Sequence, residues 1–528
     1  MSIDSKKIDF DPNELSKKGL KLFEQGDFKE ALQIFEKLNK FFPNNLDLLN
    51  LMGYVFLQLE NFDQSIKAYS NSLKINPNQP GAYFNRGIAF NKYGDKINAL
   101  KDYDQALKLD PYNLDIYQNK SLIFEDLGDF DRALEQINFV IEKNPKNPLA
   151  LTNRGNIYQK KFEYNLSKQD YKDALDISPN NSNILKNLAN ALKNSKEYHE
   201  AEKTFLKALK FDIKNYSIHF NYSLLILFLK KFNIAWDEYE YRSSKKSIFD
   251  NLRNLKECTN INSPNEKILI WGEQGIGDQI IYSSMLGSLP RENNLTIALD
   301  QRLVPIFRRS FDFLNFISFE EVKELNINFF DSQLALGSLG KFYRRNLEDF
   351  KNLPRFFLKA DLNRSKKIRE NLKIKNKKIC GISWKSKNEE VGFAKSLKLE
   401  DMVDLLSMDD FTFVDLQYGD TDAEKNLLKE KFDININAIE GLDKFNDIDG
   451  LLSLIEACDL IVTSSNVTAH LAGAIGKKTF LMAPESLGSL WYWHDDKQSI
   501  WYQSVTLYRK KISVGWEHVV KKIIKDIH

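Results

Sequence analysis

The chain has 528 residues, 28% of them charged and 42% hydrophobic, and its 75 basic and 73 acidic residues leave a net charge of +2. This length exceeds what one hydrophobic core accommodates and predicts several domains. The near-neutral balance gives no electrostatic argument for a nucleic-acid partner. Three widely spaced cysteines indicate neither a disulfide framework nor a zinc site. Because no signal segment and no apolar run of membrane-spanning length is evident, we expect a cytoplasmic protein.

The first half of the chain repeats with a period of 34 residues. Glycines Gly19, Gly53, Gly87 and Gly155 share one position of this period. A column of small residues follows the same period and comprises Ala31, Ser65, Ala99, Ala133, Ser167, Ala201 and Ala235. Period and pattern resemble the tetratricopeptide repeat, a helix–turn–helix unit whose neighbours cover each other's apolar faces. We predict an α-solenoid of about seven such units over residues 12–245.

A second column of the repeat consists of asparagines. Its members are Asn85, Asn119, Asn153, Asn187 and Asn221. Helix propensity does not favour asparagine there, and its amide offers both a donor and an acceptor to the backbone of an extended peptide. The column resembles the asparagine ladder of the O-linked N-acetylglucosamine transferases, which implies a bound polypeptide. The alternative is that asparagine is common at this position in an asparagine-rich chain.

After a predicted linker at residues 246–264, short apolar runs alternate with amphipathic segments, which is typical of an α/β sheet covered on both faces. The predicted strands are 268–271, 295–299, 334–336, 379–384, 411–416, 434–439, 460–464 and 479–482. The predicted helices are 279–289, 302–310, 339–349, 399–407, 423–432, 451–458, 467–475 and 516–527. A basic stretch, 364–378, separates the two series. We therefore expect two Rossmann-like domains, at residues 265–370 and 371–528, with a cleft between them.

The segment KILIWGEQGIGDQIIYSSML, residues 267–286, passes from a buried strand through three glycines into a helix. Such a turn presents free backbone N–H groups at a helix start, where an anion is stabilised. Gly275 and Gly277 allow close approach of a ligand to the backbone, and Asp278 follows them. The spacing is neither the dinucleotide-binding fingerprint nor the nucleotide phosphate loop.

Several segments of the second half together resemble one bacterial group. They are GIGD at 275–278, RLVPIFRRSF at 302–311, LALGSLGKFYRR at 334–345, ISWK at 382–385, LQYGD at 416–420 and SSNVTAHLAGAIGK at 464–477. They are similar to tetratricopeptide proteins whose C-terminal region resembles the lipopolysaccharide heptosyltransferases of glycosyltransferase family 9. The resemblance implies the GT-B fold, in which the C-terminal Rossmann-like domain holds a nucleotide sugar and the N-terminal one faces the acceptor.

The resemblance also implies roles for individual residues. Asp278 would be the general base that takes a proton from the acceptor hydroxyl, with Gly275 and Gly277 as the acceptor-side loop. The expected donor-binding residues are Trp384, Lys385, Gln417, Ser465, Asn466, Thr468 and His470. Ser465 stands where members of the group usually carry aspartate.

Each of these assignments has a structural alternative. Asp278 would cap its helix, and Lys385 would be a solvated surface lysine. Gln417 would be an ordinary loop residue, and His470 would be packed in the core. The aromatic run Trp491–Trp493 would either stack on a sugar or base, or form a core at the domain junction.

The leading hypothesis is a metal-independent glycosyltransferase, hexosyl- or heptosyltransferase-like, that takes a nucleotide sugar and transfers the sugar to a polypeptide presented by the repeats. The alternative is a non-catalytic protein-binding scaffold with a degenerate GT-B domain. A third hypothesis is a glycan or lipid-linked acceptor, with the repeats serving assembly only.

Overall fold

The computed structural model describes residues 11–242, 252, 255–291, 294–372, 377–387 and 391–527. Residues 246–251, 253 and 254 of the predicted linker lie outside the described residues. The described chain forms two compact units, the first ending at Pro179 and the second beginning at Asn180. The boundaries of the three predicted domains and of the linker stay a prediction.

The first unit is an array of paired helices, as the 34-residue period predicts. Its described helices are α1 (Pro12–Gln25), α2 (Phe28–Asn39), α3 (Leu46–Gln58), α4 (Phe62–Ile75), α5 (Pro80–Tyr93), α6 (Lys96–Leu109), α7 (Leu114–Asp126), α8 (Phe130–Lys143), α9 (Pro148–Lys160) and α10 (Tyr164–Ile177). Each odd-numbered helix packs mainly on the even-numbered helix that follows it. The N-terminal α-solenoid is thereby confirmed.

The repeated glycines allow the two helices of a repeat to approach closely. A Cβ added at Gly53 would lie 2.8 Å from the Tyr69 ring, and one at Gly87 would lie 2.5 Å from the Tyr103 ring. Both rings belong to the second helix of the same repeat and are fully buried. The repeated glycine in the sequence therefore reflects a close contact between two helices, and a larger residue would separate them.

Two repeats of the first unit also contain an arginine–aspartate pair that the sequence analysis missed. Arg86 donates two hydrogen bonds to Asp102, at 2.7 and 2.8 Å. Arg154, two repeats later, donates two to Asp170, at 2.9 and 2.7 Å. The planar guanidinium matches a carboxylate in this two-bond geometry, so the pairs fix the two helices of a repeat against each other.

The second unit begins with four further repeat helices and continues with two parallel sheets. The helices are α11 (Ser182–Asn194), α12 (Tyr198–Phe211), α13 (Tyr216–Phe228) and α14 (Phe232–Tyr239). The strands are β1 (Lys256–Glu257), β2 (Ile268–Trp271), β3 (Leu295–Leu299), β4 (Asn315–Ser318), β5 (Ser332–Ala335), β6 (Lys378–Ser383), β7 (Phe411–Asp415), β8 (Leu460–Ser464), β9 (Thr479–Pro484) and β10 (Val505–Lys510). Their order is β1-β5-β2-β3-β4 in the first sheet and β10-β9-β8-β6-β7 in the second.

Helices alternate with these strands. They are α15 (Ile276–Ser283), α16 (Val304–Ser310), α17 (Phe319–Glu324), α18 (Gly340–Tyr343), α19 (Leu362–Asn371), α20 (Gly392–Lys395), α21 (Val403–Leu406), α22 (Asp422–Phe432), α23 (Ile448–Ala457), α24 (Val467–Ala474) and α25 (Trp516–Ile527). All strand pairs within the two sheets are parallel. The predicted α/β class of the second half is therefore confirmed.

Some predicted elements differ from the structure. The predicted strand at 434–439 forms only a single bridge, between Val414 and Asn437, and the asparagines of this segment disfavour a longer strand. Strands β1, β4 and β10 were not predicted. β1 has two exposed residues within the predicted linker, and β4 has only four residues and a partly exposed side. The basic stretch after residue 364 belongs in part to α19, whose first turn is capped by Asp361.

Candidate functional site

The carboxyl ends of β6, β7 and β8 meet at one edge of the second sheet, where a hydrogen-bond network joins them. The Gln417 side-chain oxygen accepts from the backbone N–H groups of Trp384, at 2.9 Å, and Lys385, at 2.8 Å. The Asn466 amide donates to the Ser383 hydroxyl at 2.7 Å and to the Lys385 carbonyl at 3.0 Å. Gln417 and Asn466 thus hold three strand ends in a fixed arrangement. This edge is where ligands bind in open α/β sheets.

Helix α24 begins at this edge with Asn466 as its N-cap. The Asn466 side chain accepts from the Thr468 N–H at 3.0 Å. Thr468 is fully buried, and its hydroxyl has no hydrogen-bond partner among the described residues. A buried hydroxyl without a partner is costly, and this one lies in the first turn of a helix, where the backbone favours an anion.

Trp384 and Lys385 both contact Glu424 of α22. The Trp384 indole is fully buried in the core beneath the second sheet and donates to Glu424 at 2.7 Å. Lys385 forms an ion pair with the same carboxylate and keeps 42% of its side chain exposed. The Trp384 side chain therefore serves packing, whereas the Lys385 ammonium remains accessible at the sheet edge.

His470 lies in an aromatic environment behind the start of α24. Its ring stacks on Trp493, and its Nδ1 lies 3.1 Å from the Tyr502 hydroxyl. Burial lowers the pKa of His470 to about 3, so the imidazole is neutral at physiological pH. The Ser465 hydroxyl accepts from the Trp493 indole at 2.9 Å. Ser465 thus positions the ring that packs on His470, and the aromatic run forms a core.

Asp278 lies in the first turn of α15, at the carboxyl end of β2. Its carboxylate accepts from the Gly275 N–H at 3.2 Å, so it caps the helix. The residue keeps part of its surface in contact with solvent. Burial of the carboxyl raises its pKa to about 6, and the nearby Glu273 adds to this, while the Gly275 N–H and Lys395 act in the opposite direction. A pKa near neutrality is what general acid–base chemistry requires.

The starts of α15 and α24 come together from the two sheets. A Cβ added at Gly277 would lie 2.8 Å from His470 Cδ2. The structure thus brings the predicted base and part of the predicted donor-binding set to one place. Gly277 permits this approach because any side chain there would meet the imidazole.

Lys395 completes this cluster and was missed in the sequence. It ends α20, is 4% exposed and interacts electrostatically with Asp278. Burial lowers its pKa, and Asp278 raises it. Among the described residues, no carboxylate lies within ion-pair distance of its ammonium. In the sequence, Lys395 is distinguished only by the apolar residues around it, which predict a buried position.

The last repeat helix joins the first sheet through an ion pair that the sequence did not predict. Arg242 donates to Glu273 through Nε at 2.7 Å and through Nη2 at 2.5 Å, and both side chains are fully buried. The Gly337 N–H donates to the same carboxylate at 3.0 Å. The Trp236 indole donates to the Arg344 carbonyl at 2.7 Å, and its ring lies against Gly340. Glu273 lies directly between the strand and the glycine turn, so this docking fixes the backbone that leads to Asp278.

The asparagine column lies on the first helix of successive repeats. Asn85, Asn119 and Asn153 lie on α5, α7 and α9 of the first unit, and Asn187 and Asn221 lie on α11 and α13 of the second. Asn119 and Asn221 each donate to the carbonyl four residues earlier, at 2.8 and 2.7 Å. Those two amides therefore use one N–H on their own helix and keep a side-chain carbonyl available as an acceptor.

Substitution of Asp278 by asparagine should stabilise the protein near neutral pH. Because the folded-state pKa of about 6 lies above the ordinary value of 3.8, the folded state loses stability as pH rises from about 4 to 6, and the loss is complete above this range. Asparagine can still accept from the Gly275 N–H. We expect the variant to gain about 1–3 kcal/mol at pH 7.5 and far less at pH 4.5. Urea unfolding followed by tryptophan fluorescence at both pH values measures this, and a pH-independent difference would contradict it.

Models of the tetratricopeptide repeat match four segments of the chain, at residues 53–94, 80–113, 149–181 and 170–203. Tetratricopeptide repeats are therefore present, and they are protein-binding modules. The curated protein FlbA of Caulobacter vibrioides is 26% identical over 337 residues, which cover 58% of this chain and 54% of FlbA. The chain thus spans about half the length of this relative.

Solved repeat structures are also similar. A tetratricopeptide repeat protein from Parabacteroides merdae is 16% identical, with a TM-score of 0.40, over 44% of this chain and 94% of its own. MamA from Desulfovibrio magneticus is 18% identical, with a TM-score of 0.31, over 32% of this chain and 96% of its own. Within the described ranges, no helix has the length and apolar character needed to cross a membrane.

Proposed function

We propose that the protein is a nucleotide-sugar-dependent glycosyltransferase with a GT-B arrangement of its two α/β sheets. The observation that carries this proposal is the cluster of Asp278, Lys395 and the start of α24. It combines a carboxyl group of pKa about 6, a buried ammonium and a helix N-terminus with an unpartnered Thr468 hydroxyl. These are a base and an anion site at facing ends of two parallel sheets. The metal-independent transfer of a sugar from a diphosphate needs both.

The proposed reaction begins with the acceptor hydroxyl hydrogen-bonded to Asp278. At neutral pH the Asp278 carboxyl is mostly ionised and takes the hydroxyl proton while the oxygen attacks the anomeric carbon of the sugar. A new carbon–oxygen bond forms, and the bond between that carbon and the donor phosphate oxygen breaks. The electron pair leaves with the nucleoside diphosphate, whose added negative charge faces Lys395 and the N–H groups of α24.

Other residues of the predicted donor set would act by positioning. Gln417 and Asn466 fix the backbone around Trp384 and Lys385, and Ser465 holds the Trp493 indole against His470. We propose that Lys385, exposed at the same edge, contacts the nucleotide. The sugar ring would then lie beside Gly277, between Asp278 and the start of α24.

A polypeptide acceptor is the proposed partner of the repeats. Protein binding is what tetratricopeptide arrays provide, and Asn85, Asn119 and Asn153 carry amide groups at a regular spacing in the first unit, although Asn153 is only 8% exposed. The third hypothesis, a glycan or lipid-linked acceptor, would leave this column without a role.

One observation favours the scaffold alternative. Gln417 and Asn466 already form hydrogen bonds with neighbouring groups, so the sheet edge is structurally complete without a donor.

Binding of donors tests the proposal. We expect at least one sugar among UDP-, GDP-, ADP- and CMP-linked sugars to bind, detected by saturation-transfer difference NMR. Lys395→Gln should weaken that binding about tenfold or more, since a charge-assisted contact to phosphate contributes about 1.5–3 kcal/mol. The control is Lys398→Gln, which removes an exposed positive charge three residues away. If no nucleotide sugar binds at millimolar concentration, the scaffold alternative is correct.

The asparagine column should govern peptide binding. We expect the triple variant Asn85→Ala, Asn119→Ala and Asn153→Ala of the full chain to bind a random-sequence peptide library at least tenfold more weakly, given about 1 kcal/mol for each lost hydrogen bond. The matched control replaces Asn44, Asn71 and Asn78, which are exposed and outside the column. Equal retention of peptides by the two triple variants would rule out backbone recognition by this column.

A further inference from the structure

A cavity of about 500 Å³ lies at the far end of α15, away from Asp278. Ser284, which ends the helix, and the nearby Arg291 form one side, and Arg344 lines the interior. Phe311 and Phe313, which follow α16, contribute aromatic walls. The segment 352–359, which leads from the first sheet to the second, closes the remaining side and contributes Lys359.

The Arg344 guanidinium in this cavity is buried without a counter-ion. The residue is 4% exposed, and no carboxylate of the described residues lies within ion-pair distance of it. One nitrogen donates to the Tyr343 carbonyl at 2.6 Å and another, at 3.4 Å, to the Ser284 carbonyl. Its Nε has no partner among the described residues, and neither has the buried Ser284 hydroxyl. Burial lowers the pKa of Arg344 to about 10, although the Asp349 carboxylate acts in the opposite direction.

The charges that face the cavity favour an anion. Arg291, Arg344 and Lys359 carry positive charge, and Asp349 is the one carboxylate among the described lining residues. Asp349 accepts from the Asn346 N–H at 3.0 Å as a helix cap; it interacts electrostatically with Arg344 but does not lie within ion-pair distance of it. A buried guanidinium without an anion costs several kcal/mol, and an oxyanion that accepts from Nε and a terminal nitrogen together would offset that cost.

The walls favour an apolar body next to that oxyanion. Phe311 and Phe313 pack edge to face with centroids 6.3 Å apart, and the Arg291 guanidinium lies 5.0 Å from the Phe313 ring centre. Aromatic walls, a few convergent polar groups and a volume of this size are typical of small-molecule sites.

We propose that this cavity is a second ligand site, separate from the candidate sugar-transfer site, that binds a small organic anion. The oxyanion is held by Arg344 and Ser284, and an aromatic or aliphatic body lies against Phe311 and Phe313. Carboxylates and phosphate esters share this chemistry. The site does not depend on the proposed enzymatic function, because none of its residues belongs to the Asp278 and Lys395 cluster.

Four probe molecules test separately whether the cavity recognises the oxyanion and the apolar body of a ligand. Phenyl phosphate and benzoate carry both an oxyanion and a ring, whereas inorganic phosphate lacks the ring and benzamide lacks the charge. We expect phenyl phosphate, benzoate or both to bind the full chain in saturation-transfer difference NMR and to raise its melting temperature. The other two probes should bind at least tenfold more weakly. Whichever of phenyl phosphate and benzoate binds more tightly shows whether the site prefers a phosphate ester or a carboxylate.

Variants assign the binding to the cavity. Arg344→Met should abolish probe binding while the unliganded protein melts at an equal or higher temperature, because the buried unpaired charge is gone. Ser284→Ala and Arg291→Gln should each weaken probe binding about threefold or more. These two variants test the cavity if Arg344→Met fails to fold. Arg308→Gln, outside the cavity, is the matched control. Absence of binding by both organic anions, or equal binding by the wild type and the cavity variants, would overturn the proposal.

Discussion

Replacement of Asp278 by asparagine should lower the rate of sugar transfer by about 10²–10⁴-fold and leave donor affinity within about threefold. Asparagine preserves the size of the side chain and the bond from the Gly275 N–H, but it cannot take a proton. The diphosphate contacts proposed for Lys395 and α24 remain. Loss of rate with unchanged affinity is the signature of a group that acts in the transition state.

The pH dependence provides a second readout for the same residue. Because the pKa of Asp278 is about 6, the wild-type rate should rise with pH through this value and level off above it, as the carboxylate forms. The matched control is Asp312→Asn, which removes an exposed acid of the same half of the molecule. Transfer at the wild-type rate by Asp278→Asn would exclude this residue as the base.

Replacement of Arg242 by methionine should destabilise the second unit by about 3–5 kcal/mol, because the buried Glu273 carboxylate then loses its ion pair with the guanidinium. Both side chains of the pair are fully buried, and the Glu273 carboxylate accepts from two nitrogens of Arg242 and from the Gly337 N–H. The double variant Arg242→Met with Glu273→Leu should recover much of the loss, since an apolar pair replaces a buried ionic one.

Tryptophan fluorescence during urea unfolding measures this effect selectively. All seven tryptophans lie in the second unit, from Trp236 to Trp516. The control is Arg345→Met, which breaks an exposed pair with Asp237 at 3.1 Å and should cost less than about 1 kcal/mol. A destabilisation by Arg242→Met no larger than that of the control would show that the buried ion pair does not hold the last repeat in place.

The repeats were predictable because their packing is periodic in the sequence. In four repeats a glycine contacts an aromatic residue 16 positions later, as Gly53 does with Tyr69, so a regular interval in the sequence accompanies the contact. The buried strands β2 and β8 were also found at their full length, since β2 is a continuous apolar run and β8 begins with three apolar β-formers. Such signals require no knowledge of which distant segments meet.

The candidate site was only partly predictable, because its chemistry depends on distant neighbours. Asp278 follows glycines and a strand, and this local signal identifies it. Lys395 was missed because its interaction with Asp278 depends on how α20 packs in the fold. Trp384 was assigned to the donor from its motif, yet its indole is enclosed by the core and bonded to Glu424. The Arg242–Glu273 pair joins residues 31 positions apart on different elements, which no periodicity indicates.

A crystal structure with the nucleoside diphosphate of the tightest-binding donor tests the proposed function most directly. We expect the diphosphate at the start of α24, with its oxygens within hydrogen-bond distance of Thr468 and Lys395, and the space beside Asp278 open for the sugar and the acceptor. A nucleotide bound elsewhere on the protein, with this cluster unchanged, would contradict the assignment of Asp278 and Lys395 to sugar transfer.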